Sequence, residues 1–220
     1  EVSNGASSVC SATVPSTVAT LTVNEIPEVT DDPDPVTICE GSNTSFSINE
    51  GVTTGVAIRW QVSTNNGSSY TDLNNDGTYS DVDQPTLLIT GASSSMNNYL
   101  YRARVSGTCS PAVFSQSARL TVESDPVITV NPLDGENCEG GGVSFSVTAT
   151  GSDLEYQWYE EGGPLSNGGI YSGATGPVLT ISSINSSMDA HEYYVEVSNG
   201  ASSVCSATVP STVATLTVNE

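Results

Sequence analysis

An all-β chain of tandem β-sandwich modules is what this sequence predicts, and three observations carry the prediction. Apolar and polar residues alternate over short runs, as from Val143 to Ala149 and from Leu154 to Trp158. That period of two turns one face of a strand inward. Gly, Pro, Asn and Asp break these runs at short intervals, and helix signals are nearly absent. Finally, residues 1–25 recur without change as residues 196–220, an offset of 195. Self-similarity of that kind marks an array of repeated units.

A weaker repeat is nested inside the strong one. Cys39-Glu40-Gly41 is answered by Cys138-Glu139-Gly140, and Phe46 by Phe145, at an offset of 99. Trp60 is answered by Trp158, Tyr79 by Tyr171, Met96 by Met188, and Leu120-Thr121-Val122 by Leu216-Thr217-Val218. The long period therefore holds two diverged modules, expected at residues 26–123 and 124–220. Residues 1–25 read as the closing part of a preceding copy of the second module.

The elements follow in order. Residues 1–4 and 17–24 are expected as two strands, by identity with the strands expected at 192–199 and 212–219. Alone they would expose Val2, Val18, Leu21 and Val23, and an isolated hairpin is marginal in water. The stretch around Ser93–Asn97, with its counterpart Asn185–Asp189, fits a turn between strands. Further strands are expected at 143–149, 154–158 and 178–181, each from its alternation. Pro27 and Pro126, just past each junction, stiffen the direction in which the chain leaves a module. Strands of this length give a module about 40 Å long and an extended two-module repeat of about 80 Å.

Composition excludes several partners. Four arginines and no lysine stand against 25 acidic residues, for a formal charge of −21. Nucleic acid and anionic lipid both need cationic patches, so neither is an expected partner. The same charge keeps a long array soluble. No apolar run reaches the roughly 20 residues of a membrane span, so no membrane insertion is expected. Without lysine, no Lys–Asn or Lys–Asp isopeptide bond can form.

At particular residues the text resembles an immunoglobulin domain. Val147 sits where the first cysteine of such a domain would be, and Trp158 falls at the core-tryptophan position. Asp189 to Tyr193 looks like the turn that ends in the tyrosine corner, with Val195 at the second cysteine position. The first module repeats this with Ile48, Trp60, Tyr101 and Ala103. Across both modules the chain resembles the Ig-like repeats of very large secreted surface proteins of Bacteroidota. The phrases that carry it are Trp60 to Thr64 with Gly67 to Asp72, Leu87 to Gly91, and Tyr101 to Cys109. The resemblance implies exported, adhesin-like or filamentous architecture, often linked to type IX secretion.

That resemblance also implies a use for the cysteines. Cys39 and Cys109 fall in one module and Cys138 and Cys205 in the next. The expected disulfides are Cys39–Cys109 and Cys138–Cys205, with the partner of Cys10 lying outside the chain. Apolar pairs, Ile48 with Ala103 and Val147 with Val195, would then replace the usual bridge between the sheets. Such disulfides imply an oxidising, extracellular or cell-surface location.

Catalytic patterns are scarce, and the chain does not read as an enzyme. The one histidine, His191, is expected in an exposed turn, and its counterpart in the first module is Tyr99. Glu160-Glu161 is a carboxylate pair on a Gly-rich stretch with no aromatic cleft implied. Asp72, Asn74, Asp76, Thr78, Ser80 and Asp83 have the spacing of a calcium loop, with Asp replacing the usual final Glu. The aligned stretch from Leu165 to Thr175 keeps the turn without the carboxylates. Asp31, Asp32 and Asp34 form a second acidic cluster near the preceding junction. No other cofactor is implied.

The function expected is a structural repeat of an extracellular fibre or stalk, whose partners are copies of itself. The alternatives are an adhesive module that binds glycan or protein through end loops, with or without calcium, and an accessory domain of a secreted enzyme. A perfect repeat favours the first, since uniform copies build length and uniform interfaces. Strand donation by residues 1–25 to a neighbouring subunit is the rival account of that segment.

Overall fold

The computed structural model describes residues 2–3 and 13–219, and side chains from Val14 onward. At its start β1 (Val2–Ser3) pairs with β2 (Thr13–Val14) in antiparallel register. Cys10 and the Val2 side chain lie outside the described residues. The strand expected at 17–24 is absent, and residues 15–30 run without regular structure. Val18, Leu21 and Val23 are 94, 87 and 76% exposed. With no opposing sheet to bury them, the alternating pattern finds no ladder to join.

The first sandwich comprises β3 (Val36–Cys39), β4 (Thr44–Ser47), β5 (Ala57–Ser63), β6 (Thr71–Asp72) and β7 (Tyr79–Ser80), then β8 (Thr86–Ile89), β9 (Leu100–Ser106), β10 (Val113–Phe114) and β11 (Ala118–Glu123). One sheet runs β3-β11-β9-β5-β6, with β10 on β9, and the other runs β4-β8-β7. The second sandwich comprises β12 (Val127–Val130), β13 (Gly135–Cys138), β14 (Val143–Ser146), β15 (Thr148–Thr150), β16 (Leu154–Glu160) and β17 (Gly163–Pro164). It continues with β18 (Tyr171–Ser172), β19 (Val178–Ile181), β20 (Glu192–Asn199), β21 (Thr208–Pro210) and β22 (Ala214–Asn219). Its larger sheet, β13-β22-β20-β16-β17, repeats the first module's order. The run expected as one strand at 143–149 divides at Val147. Up to that point it pairs with β19, and beyond it with β12, so a single alternating stretch serves two sheets.

Each sandwich has its own core. Trp60 and Trp158 are both 0% exposed. Their ring N–H groups donate to the carbonyls of Gln84 at 2.9 Å and Gly176 at 2.8 Å, which removes the cost of burying an indole donor. Phe46 stacks on Tyr101 at 5.0 Å and Phe145 on Tyr193 at 4.8 Å. These pairs join the two sheets where an immunoglobulin disulfide would stand. Ile48, Ala103, Val147 and Val195 are buried around them. The corner tyrosines do not bond back to the preceding turn. Tyr101 shares its hydroxyl with that of Tyr79 at 3.1 Å, and Tyr193 donates to Glu160 at 2.5 Å.

One pairing positions everything that follows. The last strand of each module lies parallel to the short strand near its start. Leu120 faces Val36 and Glu123 faces Cys39, while Leu216 faces Gly135 and Asn219 faces Cys138. Cys39 and Cys138 therefore stand at the exit pole of their modules, beside the last residues of the closing strand.

Candidate functional site

The cysteines do not pair as expected. Cys39 is bonded to Cys205 in the other module, with 5.5 Å between Cα atoms and a sequence separation of 166. Cys109 and Cys138 are free thiols. The expected Cys39–Cys109 and Cys138–Cys205 bridges fail because each would have to join opposite poles of one sandwich. Cys39 ends β3 against the last residue of β11, whereas Cys109 lies at the other pole, in the loop between β9 and β10 that precedes the start of β11.

The disulfide lies in a closely bonded junction. Glu123 Oε2 accepts from the Ser203 hydroxyl at 2.6 Å and from the Val204 N–H at 2.9 Å. Ser124 donates its N–H to Ser152 Oγ at 3.0 Å, and its carbonyl accepts from Ser152 N–H at 3.0 Å and from Asn199 Nδ2 at 3.1 Å. Gly151 lets the linker lie flat against the second module. Its φ is +148°, and a Cβ there would meet Asp125 O at 2.9 Å and Pro126 Cα at 3.0 Å. The linker is thus held on both sides by backbone and side-chain bonds.

The entry to the first module is built the same way. Aligning Leu21-Thr22-Val23 with Leu120-Thr121-Val122 makes Asn24 the counterpart of Glu123 and Glu25 that of Ser124. Glu25 donates its N–H to Thr54 Oγ1 at 2.9 Å, as Ser124 does to Ser152. The Cys109 thiol lies 3.6 Å from the carbonyl of Asn24, as the Cys205 loop lies on Glu123.

The calcium spacing is not matched by a gathered site. Asp72 accepts from Gln61 Nε2 at 2.6 Å and lies 3.7 Å from the Arg104 guanidinium. Asp76 Oδ1 accepts the N–H groups of Thr78 and Tyr79, both at 2.7 Å, closing its own turn. Those bonds hold the Asp76 carboxyl below its usual range, Tyr79 contributing most. Thr78 and Ser80 lie along that turn, Asn74 and Asp83 are exposed, and Asp72, Asp76 and Asp83 do not converge. In the second acidic cluster Asp32 accepts from Gln116 N–H at 2.7 Å. Among the described residues the cluster with metal-ligand spacing is Cys39, Asp125 and Cys205. Two of those are consumed by the disulfide.

A polar knot in the second module is the other notable grouping. Glu160, half-buried at the end of β16, accepts from Tyr193 at 2.5 Å and from Tyr171 at 2.8 Å, and its Oε1 lies 3.0 Å from His191 Nδ1. His191 is therefore partly covered and tied, not the exposed turn residue expected. Glu161 instead accepts the Glu192 N–H at 2.7 Å. Burial alone would raise the Glu160 carboxyl, but bonds from His191, Tyr193 and Tyr171 outweigh it and hold it below its usual range. Burial, followed by the bond to Glu160, pushes Tyr171 up to about 12. Both Glu160 oxygens are thus committed to structural partners.

This lowered carboxyl sets a pH dependence. A depressed folded-state value stabilises the module above the unfolded value and loses that contribution as pH falls. Because the ordinary carboxyl titrates near 4.5, the loss is expected to begin there and deepen on further acidification. Glu160→Gln should lower the melting temperature at neutral pH and flatten its dependence below about pH 5. Thermal melts of both proteins between about pH 3 and 7 test this, and parallel curves would refute it.

Residues 124–219 match the family model described as an Ig-like domain, CHU_C associated. Among solved structures the chain is similar to a three-domain fragment of titin, I67–I69 in an E-to-A variant. The TM-score there is 0.62 at 19% identity, covering 89% of this chain and 66% of that one. Sidekick-1 immunoglobulin domains 1–4 give 0.64 at 18%, covering 89% of this chain and 49% of theirs. DIP-gamma IG1+IG2 gives 0.63 at 17%, covering 90% of this chain and 100% of that one. At such identities the likeness shows the fold, two Ig-like sandwiches in tandem. The chain spans about two thirds of the titin fragment and about half of the Sidekick-1 one. No curated protein sequence matches it.

Proposed function

We propose that the chain is a structural repeat of an extracellular bacterial fibre or surface stalk, in which tandem Ig-like modules act as stiff spacers. The observation that carries this reading is the junction, where a bonded linker and a disulfide fix one module on the next. Flexible display of independent binding modules would need no such fixation. The unchanged 25-residue repeat supports the same reading, because identical ends give identical junctions along the array. The match of residues 124–219 to a CHU_C-associated domain supports an exported Bacteroidota-type setting.

Surface labelling of the source cells and electron microscopy of the released material test it. Surface-borne filaments with an axial repeat of about 80 Å and alternating modules are expected, from two sandwiches end to end. A freely bending string without that repeat, or material confined to the cell interior, would overturn it.

One observation favours the adhesive alternative. Tyr159 and Tyr194 stack 4.8 Å apart and nearly parallel on the outward face of β16 and β20. Binding of a glycan panel by the chain, abolished in a Tyr194→Ala variant, would support that alternative. No binding would leave the spacer reading alone.

A further inference from the structure

The bridge between modules uses one cysteine from each pole, and the same two positions recur unpaired. Cys39 stands at the exit pole of the first module and Cys138 at the exit pole of the second, each opposite the last residues of a closing strand. Cys205 belongs to the loop that the second module lays on its predecessor. Cys109 occupies the matching loop of the first module, between β9 and β11.

The geometry at Asn24 joins these facts. Asn24 is the repeat counterpart of Asn219, and Asn219 is the register partner of Cys138. Cys109 already sits 3.6 Å from the Asn24 carbonyl. A complete second-type module ahead of residue 26 would therefore place its own Cys138 counterpart beside Cys109. At the intact junction Glu123 is the register partner of Cys39, and the loop of Cys205 lies on Glu123. The two arrangements are the same arrangement.

We propose that Cys109 and Cys138 are the two halves of a second inter-module disulfide, formed between Cys138 of one repeat and Cys109 of the next. Every junction of the array then carries a bridge, alternating Cys39–Cys205 with Cys138–Cys109. This rests on the array reading above. Each bridge converts two thiols to one S–S bond with release of two protons and two electrons. A disulfide-bearing oxidant of the exporting compartment accepts those electrons and leaves as its dithiol.

Peptide mapping of the native array, isolated without reductant and with free thiols alkylated, tests the proposal. Cleavage after Arg and Glu yields the segments 29–40, 105–119, 137–139 and 197–220, each with one of the four cysteines. The expected products are 105–119 joined to 137–139, and 29–40 joined to 197–220. Recovery of 105–119 and 137–139 in alkylated form would overturn the proposal, as would 105–119 joined to 29–40. If that happens while filaments keep their repeat of about 80 Å, the ladder fails and the fibre stands. Loss of the repeat itself would count against the fibre.

Discussion

Held at Glu25 and Asn219 and pulled to full extension, the oxidised chain is expected to reach about 100 Å and the reduced chain about 650 Å, at 3.3–3.6 Å per residue. The difference comes from the covalent path. With Cys39 bonded to Cys205, the shortest route runs 14 residues from Glu25 to Cys39, crosses the disulfide, and runs 14 more from Cys205 to Asn219. Of the two cores only the strands β3 and β22, with Leu216 and Val218, lie on that route, and the other core strands lie off it. Two folded modules already span about 80 Å, so unfolding either adds almost no length. Without the bridge, all 194 residues between the two points come into play. Single-molecule force spectroscopy with and without reductant reads this directly, and Cys39→Ser should behave as the reduced chain does. Long unfolding steps in the oxidised wild type would contradict the bridge.

Replacing Trp158 by alanine is expected to cost the second module about 3–5 kcal/mol. The indole is fully buried and donates to Gly176 O, so the variant loses packing and leaves that acceptor without its partner. Set against a domain stability of about 5–15 kcal/mol, most of the margin goes. A fall in melting temperature of at least about 12 °C should follow for that module. Calorimetry should show the first module, whose core is built separately on Trp60, retaining its own transition. A loss under about 1 kcal/mol would mean that the site closes around the gap, against the close packing that the core implies.

The sandwiches were legible because burial follows alternation. The run from Leu154 to Trp158 and the run from Glu192 to Asn199 each turn one face to a core, and the repeat located both tryptophans. Pairing of the cysteines was not legible from separation alone. Cys39 and Cys109 are close in sequence but stand at opposite poles, a fact set by which strand closes the sheet. The usable signal was their place in the strand order, since a cysteine after the first short strand and one in the late loop cannot meet within one sandwich. The acidic loop shows a related limit of spacing. Spacing shows which residues share a turn, but Asp76 spends its carboxylate on its own backbone and Asp72 turns to Gln61 and Arg104. His191 was misplaced because its partner, Glu160, lies 31 residues away on another strand.

The likeness of the two junctions has a consequence for symmetry. Glu25 on Thr54 and Ser124 on Ser152 are the same contact made twice, and at Ser124 it joins the exit of the first module to the entry of the second. A head-to-tail contact that does not close on itself generates a helix when repeated. In the array proposed above, a fixed contact would apply the same rotation and rise at each step, so residues that share a face of one module would trace a spiral of defined handedness and pitch along the whole.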